Sequence, residues 1–165
     1  MPFRLTNAGE YAVRLMVYLA GRNPNDLISA REIAENQNIP HRFLRSIVSN
    51  FAKLGFVTSV QGSGGGVRLA PGAADRSLLE VIEAVEGPIY LNVCMQGEDV
   101  CQFSSHCAVH NVWHEAQEAI QKILGKKTIR ELSRTNLAHG NLLPVSDQMC
   151  GVPNQETSGG GKHGS

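Results

Sequence analysis

Three cysteines and a histidine, Cys94, Cys101, Cys107 and His110, fall within seventeen residues of a 165-residue chain. Thiolates are soft ligands that favour zinc or iron–sulfur iron. Three of them with one imidazole fill either a tetrahedral zinc site or the four terminal positions of a 2Fe-2S cluster. Donor chemistry leaves both open. The neighbouring Gln96, Gly97, Glu98 and Asp99 make the stretch a polar loop, a poor setting for three unrelated buried cysteines. Cys150 lies far away in the tail and is expected to be a free thiol. The start Met1-Pro2-Phe3-Arg4 lacks a signal-like apolar region, and there is no apolar run of about eighteen residues. The expectation is a cytoplasmic protein with no membrane association, where clustered cysteines hold metal more often than they form disulfides.

The elements around the cluster must position it. A long helix is expected from about Ser104, with Cys107 in its opening turn. His110, three residues on, would then share nearly the same face. The N-terminal end of that helix would favour the Cys107 thiolate. His106, His110 and His114 step at four-residue intervals, a spacing that also suits zinc. The same helix carries Val109, Val112, Trp113, Ala116, Ile120, Ile123 and Leu124 as one apolar stripe, which a chain of this size does not cover unaided.

Upstream, three helices are expected. Thr6 caps the first, which ends at Gly21; Ser29-Ala30-Arg31-Glu32 reads as a capping box for the second; Pro40 opens the third, through Lys53. After Gly55 the period changes to two, and Val57–Gln61 and Val67–Leu69 read as strands joined by the glycine run 62–66. Ser77-Leu78-Leu79-Glu80 caps a further helix that Gly87-Pro88 breaks, and Thr128-Ile129-Arg130-Glu131 caps a last short one. The fold class is mainly α: a winged helix-turn-helix over 1–86 with a two-stranded wing, then a cluster-binding loop and long C-terminal dimerisation helix over 87–135. Residues 136–165, rich in Gly, Ser, Pro and Asn, read as a disordered tail.

That element order places the third helix in the major groove of DNA and the wing against the backbone or minor groove. Arg42 and Arg45 sit early in the third helix, where guanidinium groups read guanine edges. Ser49, Asn50 and Lys53 suit phosphate or sugar, and Gly64, Gly65 and Arg68 form the contact end of the wing. Charge agrees: residues 1–70 hold eight Lys/Arg against four Asp/Glu, and 71–165 hold seven against eleven. Catalysis is not expected. There is no nucleophile–base pair, and no Gly-Lys-Ser/Thr follows the glycine run.

Arg4-Leu5-Thr6 with Tyr11-Ala12-Val13-Arg14, then Ile33-Ala34, Phe43-Leu44 and Gly62-Ser63-Gly64-Gly65-Gly66-Val67-Arg68-Leu69, resembles the Rrf2 family of bacterial winged-helix regulators. The resemblance covers roughly residues 3–135. It implies a homodimer formed through the long helix, reading a pseudo-palindromic operator in double-stranded DNA. It also implies an iron–sulfur cluster on Cys94, Cys101, Cys107 and His110. Cys107-Ala108-Val109-His110 reproduces the end of the IscR-type motif, which favours a 2Fe-2S cluster. Six residues separate Cys94 from Cys101, one more than IscR-like members usually have. NsrR-like members hold a 4Fe-4S cluster with an acidic residue from the partner's first helix, and Glu10 stands at that position. The implied function is a repressor sensing iron or cluster status, redox state or nitric oxide. The alternative is a zinc-stabilised winged-helix protein with no sensing role.

Overall fold

The structure, a computed structural model, describes residues 4–97, 101 and 106–138. The expected tail beyond 138 and the loop positions 98–100 and 102–105 lie outside the described residues. Helix α1 spans Asn7–Ala20, α2 Ala30–Gln37 and α3 His41–Lys53. Strands β1, Val57–Val60, and β2, Gly66–Leu69, follow, then α4, Leu78–Glu86, α5, His110–Lys126, and α6, Ile129–Ala138. Among the described residues no helix is long and apolar enough to cross a membrane.

Helices α1 and α2 start where a hydroxyl replaces a missing backbone partner, whereas α3 starts at Pro40 with no side-chain cap. Thr6 Oγ1 accepts from Gly9 N at 3.3 Å, and Ser29 Oγ accepts from Glu32 N at 3.1 Å. The box expected at Ser29 forms only this half. Glu32 instead accepts from Tyr18 Oη at 3.3 Å, a tie from α2 to α1. At α4 the box is complete: Ser77 Oγ accepts from Glu80 N, and Glu80 Oε2 accepts from Ser77 N at 2.8 Å. Asn38 ends α2 in the left-handed region, φ 49°, a conformation asparagine tolerates.

The apolar faces converge on one core. Leu15 and Met16 from α1, Ile33 from α2, Leu44 and Phe51 from α3 and Val81 from α4 are all fully enclosed. Phe51 stacks on Phe56 with ring centres 4.9 Å apart. The strands pair antiparallel, Val57 opposite Leu69 and Val60 opposite Gly66. Ile28 pairs with Val67 from the side, through bonds of 3.0 and 2.8 Å, anchoring the wing to the loop before α2. The last helix comes home: Ile129 of α6 is fully buried in this same core, and Leu78 N donates to Lys127 O at 2.7 Å. Helix α6 also runs to Ala138, past the expected start of the tail at 136.

Helix α5 differs. It starts at His110, six residues later than Ser104, and buries none of its residues.

Candidate nucleic-acid interface and cysteine loop

Burying Leu44, Ile47 and Phe51 turns the other side of α3 outward, and His41, Arg42, Arg45, Ser49 and Lys53 are all exposed there. The Arg42 guanidinium rests over the Phe43 ring, 4.9 Å from its centre. Arg45 and Ser49 line a groove of about 610 Å³ whose opposite wall is the wing: Ser59, Val60, Gln61, Gly65 and Gly66. Asn50 is tied elsewhere, since its Nδ2 donates to Ala84 O at 3.0 Å. Ser59 and Gln61 were not singled out in the sequence. The pairing of β1 with β2, rather than a pattern in the residues themselves, brings the end of the strand to this wall.

The wing tip needs its glycines. Gly62 and Gly64 have φ of 102° and 79°, which L-residues with a Cβ rarely adopt. A Cβ on Gly65 would collide with the Val60 carbonyl oxygen, and one on Gly66 would sit 2.6 Å from Ile28 O. Close backbone approach therefore explains the run as well as turn geometry does. Arg68 follows on β2, half-buried, and lines a second cavity together with Arg22 and Arg130.

In the cysteine loop, Cys94 lies in a 3-10 turn, Val93–Met95, begun by Asn92, whose Oδ1 accepts from Val93 N at 2.8 Å. The loop is moored upstream by Leu91 N, which donates to Gln117 Oε1 on α5 at 3.1 Å. No sequence pattern marked Gln117. Cys107 precedes the helix instead of sitting in its first turn; His110 N donates to Cys107 O at 3.1 Å, closing a single turn before α5. The shared helical face expected for Cys107 and His110 is therefore not formed. His106 is likewise outside α5, so His106, His110 and His114 do not run along one helix, and His114 lies 3.7 Å from Glu118.

Cys94, Cys101 and Cys107 are free, half-buried thiols. His110 Nδ1 is enclosed and has no hydrogen-bond partner among the described residues. An imidazole nitrogen closed off in this way costs free energy unless something accepts its lone pair or proton. Donor types thus fit a soft metal or cluster, but placement is incomplete. Among the described residues no three His, Cys, Asp or Glu side chains come close enough to share a metal ion. Glu10, in the first turn of α1, pairs with Arg14, whose Nη1 also donates to Gln37 O at 3.3 Å.

A family model described as Rrf2, iron-dependent transcriptional regulator, matches residues 5–135. The chain is 34% identical over 162 residues to the HTH-type transcriptional regulator IscR of Photobacterium profundum, covering 96% of this chain and 91% of that protein. It is 31% identical over 130 residues to the HTH-type transcriptional regulator NsrR of Bacillus subtilis, covering 78% and 89%. In fold it is similar to CymR, the global cysteine regulator of B. subtilis. There the TM-score is 0.67 at 24% identity, over 81% of this chain and 98% of that one.

Proposed function

This chain belongs to the Rrf2 family of transcriptional regulators, and from that premise we propose that it is a homodimeric repressor whose operator affinity follows an iron–sulfur cluster. The observation that carries the reading is the junction of two features. A basic recognition helix beside a glycine-tipped wing leads, through one short helix and a loop of thiols, into an amphipathic helix with no buried residue.

On DNA, Arg42 and Arg45 of α3 face base edges in the major groove, with Ser49 and Lys53 on phosphate or sugar. Asn50 contributes through its position on the same helix, its amide being held by Ala84 O. Gly64 and Gly65 let the wing backbone approach the duplex, and Arg68 supplies charge beside them. The exposed residues of α5, Val112, Trp113 and Ile123, meet the same residues of a second copy. The two α3 helices then stand about 34–36 Å apart, as a pseudo-palindromic operator requires.

Cys94, Cys101 and Cys107 hold the cluster with His110 as the fourth ligand in a 2Fe-2S arrangement. Glu10 of a partner subunit is the alternative fourth ligand of a 4Fe-4S one. Such a cluster, when bound, supplies iron and sulfide that respond to oxidants, nitric oxide and iron supply. The chain's own part is to bring the three thiols together, which reshapes the loop between the Leu91 mooring and His110. The reshaped loop shifts α5 and, through the dimer, the spacing of the recognition helices. This is a switch only if the two loop arrangements differ in DNA affinity. The description of the family as iron-dependent favours iron over zinc.

The test is operator binding by anaerobically purified protein against metal-free protein. A difference of about tenfold or more is expected, equal to roughly 1.4 kcal/mol of coupling, and Cys107→Ser protein should behave as metal-free. Identical affinities in both states would sink the switch. Mössbauer spectra of His110→Ala and Glu10→Ala proteins assign the fourth ligand, and unchanged spectra in both would remove both candidates.

A further inference from the structure

A second concave site lies on the far side of the wing from the α3 groove. Val67 lines the α3 groove, whereas the next two residues of β2, Arg68 and Leu69, line a separate cavity of about 350 Å³. That cavity is closed on one side by the segment after α1, with Arg22, Pro24 and Asp26. On the other it is closed by the turn after β2, with Pro71, and by Arg130 at the start of α6. Three guanidinium groups, brought from three distant stretches of chain, thus line one small space.

Their charges are unevenly balanced. Arg130 is satisfied, with Nε and Nη2 donating to the two carboxylate oxygens of Asp75 at 2.7 and 3.0 Å. Arg22 and Arg68 have no carboxylate within ion-pair distance among the described residues, and Asp26, the one acid of the lining, has no cation within that distance. Arg22 is nevertheless held in place. Its guanidinium lies 4.6 Å from the centre of the Tyr18 ring, and its Nη2 donates to Tyr18 Oη at 2.7 Å. A half-buried guanidinium fixed by an aromatic ring, lining the same cavity as a second that has no ion-pair partner, leaves more positive than negative charge there, Asp26 included, and makes a preorganised receptor for an oxyanion. The prolines at 24 and 71 restrict the backbone on both rims.

We infer that this cavity binds a small, multiply charged oxyanion of the phosphate class, held between Arg22 and Arg68 with Arg130 at its edge. Because Arg68 belongs to the wing, an occupied cavity draws that side chain away from DNA. The site therefore reads a second signal independently of the cysteines. The same chemistry is offered by a DNA backbone phosphate, so the test must separate the two sources.

The experiment is isothermal titration of the full-length protein with inorganic phosphate, at ionic strength held constant with chloride. One saturable site is expected, weakened about tenfold or more in Arg68→Gln and in Arg22→Gln, since each removes a charge-assisted donor pair. Arg45→Gln, in the α3 groove, should leave it unchanged. Arg22 packs on Tyr18, so its variant can lose structure; Arg68→Gln, on a strand edge, keeps the test decisive. No saturable binding, binding unaffected by Arg68→Gln, or binding lost equally in Arg45→Gln would overturn the assignment. With a DNA duplex added, phosphate should bind more weakly, because both use Arg68, while a saturable, Arg68-dependent site persists at higher phosphate; that result supports a free anion. Loss of the saturable site at every phosphate concentration, with any duplex regardless of sequence, gives the cavity to the DNA backbone and overturns the small-anion reading. Neither measurement uses the cluster, so its outcome is distinct from that of the switch.

Discussion

The winged-helix half and the cysteine-loop half are made of similar apolar material put to different use. In the first, Leu15, Met16, Ile33, Leu44 and Phe51 are fully enclosed by their own chain. In the second, Val112, Trp113 and Ile123 of α5 remain 61%, 38% and 63% exposed. The helix starts differ in the same sense. Helices α1, α2, α4 and α6 each begin on a Ser or Thr oxygen that accepts a backbone N–H; α3 begins on Pro40, whose ring presets the first turn, while α5 begins at Val109 with neither device. One half is complete as a single chain. The other has the composition of a structure finished by something outside the chain, which is what the proposed cluster and second copy would supply.

The largest expected effect tests the finished half. Phe51→Ala removes a fully buried ring stacked on Phe56 and should cost about 3–5 kcal/mol in denaturant unfolding, enough to unfold a marginal domain. Trp113→Ala, although the larger residue is removed, should cost a single chain well under about 1 kcal/mol. Equal losses from the two would erase the contrast.

The next effect tests the unfinished half. Ile123→Glu places a charge on the most exposed part of the α5 stripe and should convert the proposed dimer to monomer in sedimentation velocity. The unfolding midpoint should then lose its dependence on protein concentration. Operator affinity should fall steeply while non-specific DNA binding persists, because one recognition helix can no longer place the other. A variant that stays dimeric would take the seam away from α5.

How legible each half was follows the same division. Helix starts at Thr6, Ser29, Ser77 and Thr128 could be read from single residues because capping is local chemistry. The apolar period of α1 and α3 could be read because its partners lie within the same chain. Even there Glu32 departed from the expected box, since Tyr18, far off in sequence, offers it a hydroxyl. The start of α5 was placed six residues early, at Ser104. The apolar pattern there marks a face its own chain leaves uncovered and carries no cap to show where the helix begins. The thiols were identifiable by type and spacing, but under the proposed function their mutual geometry would depend on a group the sequence does not encode. The cavity between Arg22, Arg68 and Arg130 left no sequence trace at all, because its walls meet only when α6 folds back on α1.

The smallest expected effect tests whether local capping really distinguishes the halves. Ser77→Ala removes both the acceptor for Glu80 N and one partner of the Glu80 carboxylate, and should cost about 1 kcal/mol. The loss should also carry a pH signature. Glu80 is held below the ordinary carboxylate range, chiefly by the hydrogen bond from Ser77 N, with the Ser77 hydroxyl and Arg76 assisting. A carboxylate whose folded pKa is depressed adds stability that is complete above its unfolded value and is lost as pH falls through its folded value. Thermal midpoints of the parent protein should therefore drop as pH falls below about 4.5. Glu80→Gln should flatten that part of the slope without touching the region above it. The side chain is half exposed to solvent, so the change in slope is expected to be small. No equivalent change is available at α5, where Val109 has nothing to remove. If Val109→Ser stabilised the metal-free monomer by as much as Ser77→Ala destabilises it, the missing cap alone would account for the weak start of α5. The cluster would then not be needed to order it.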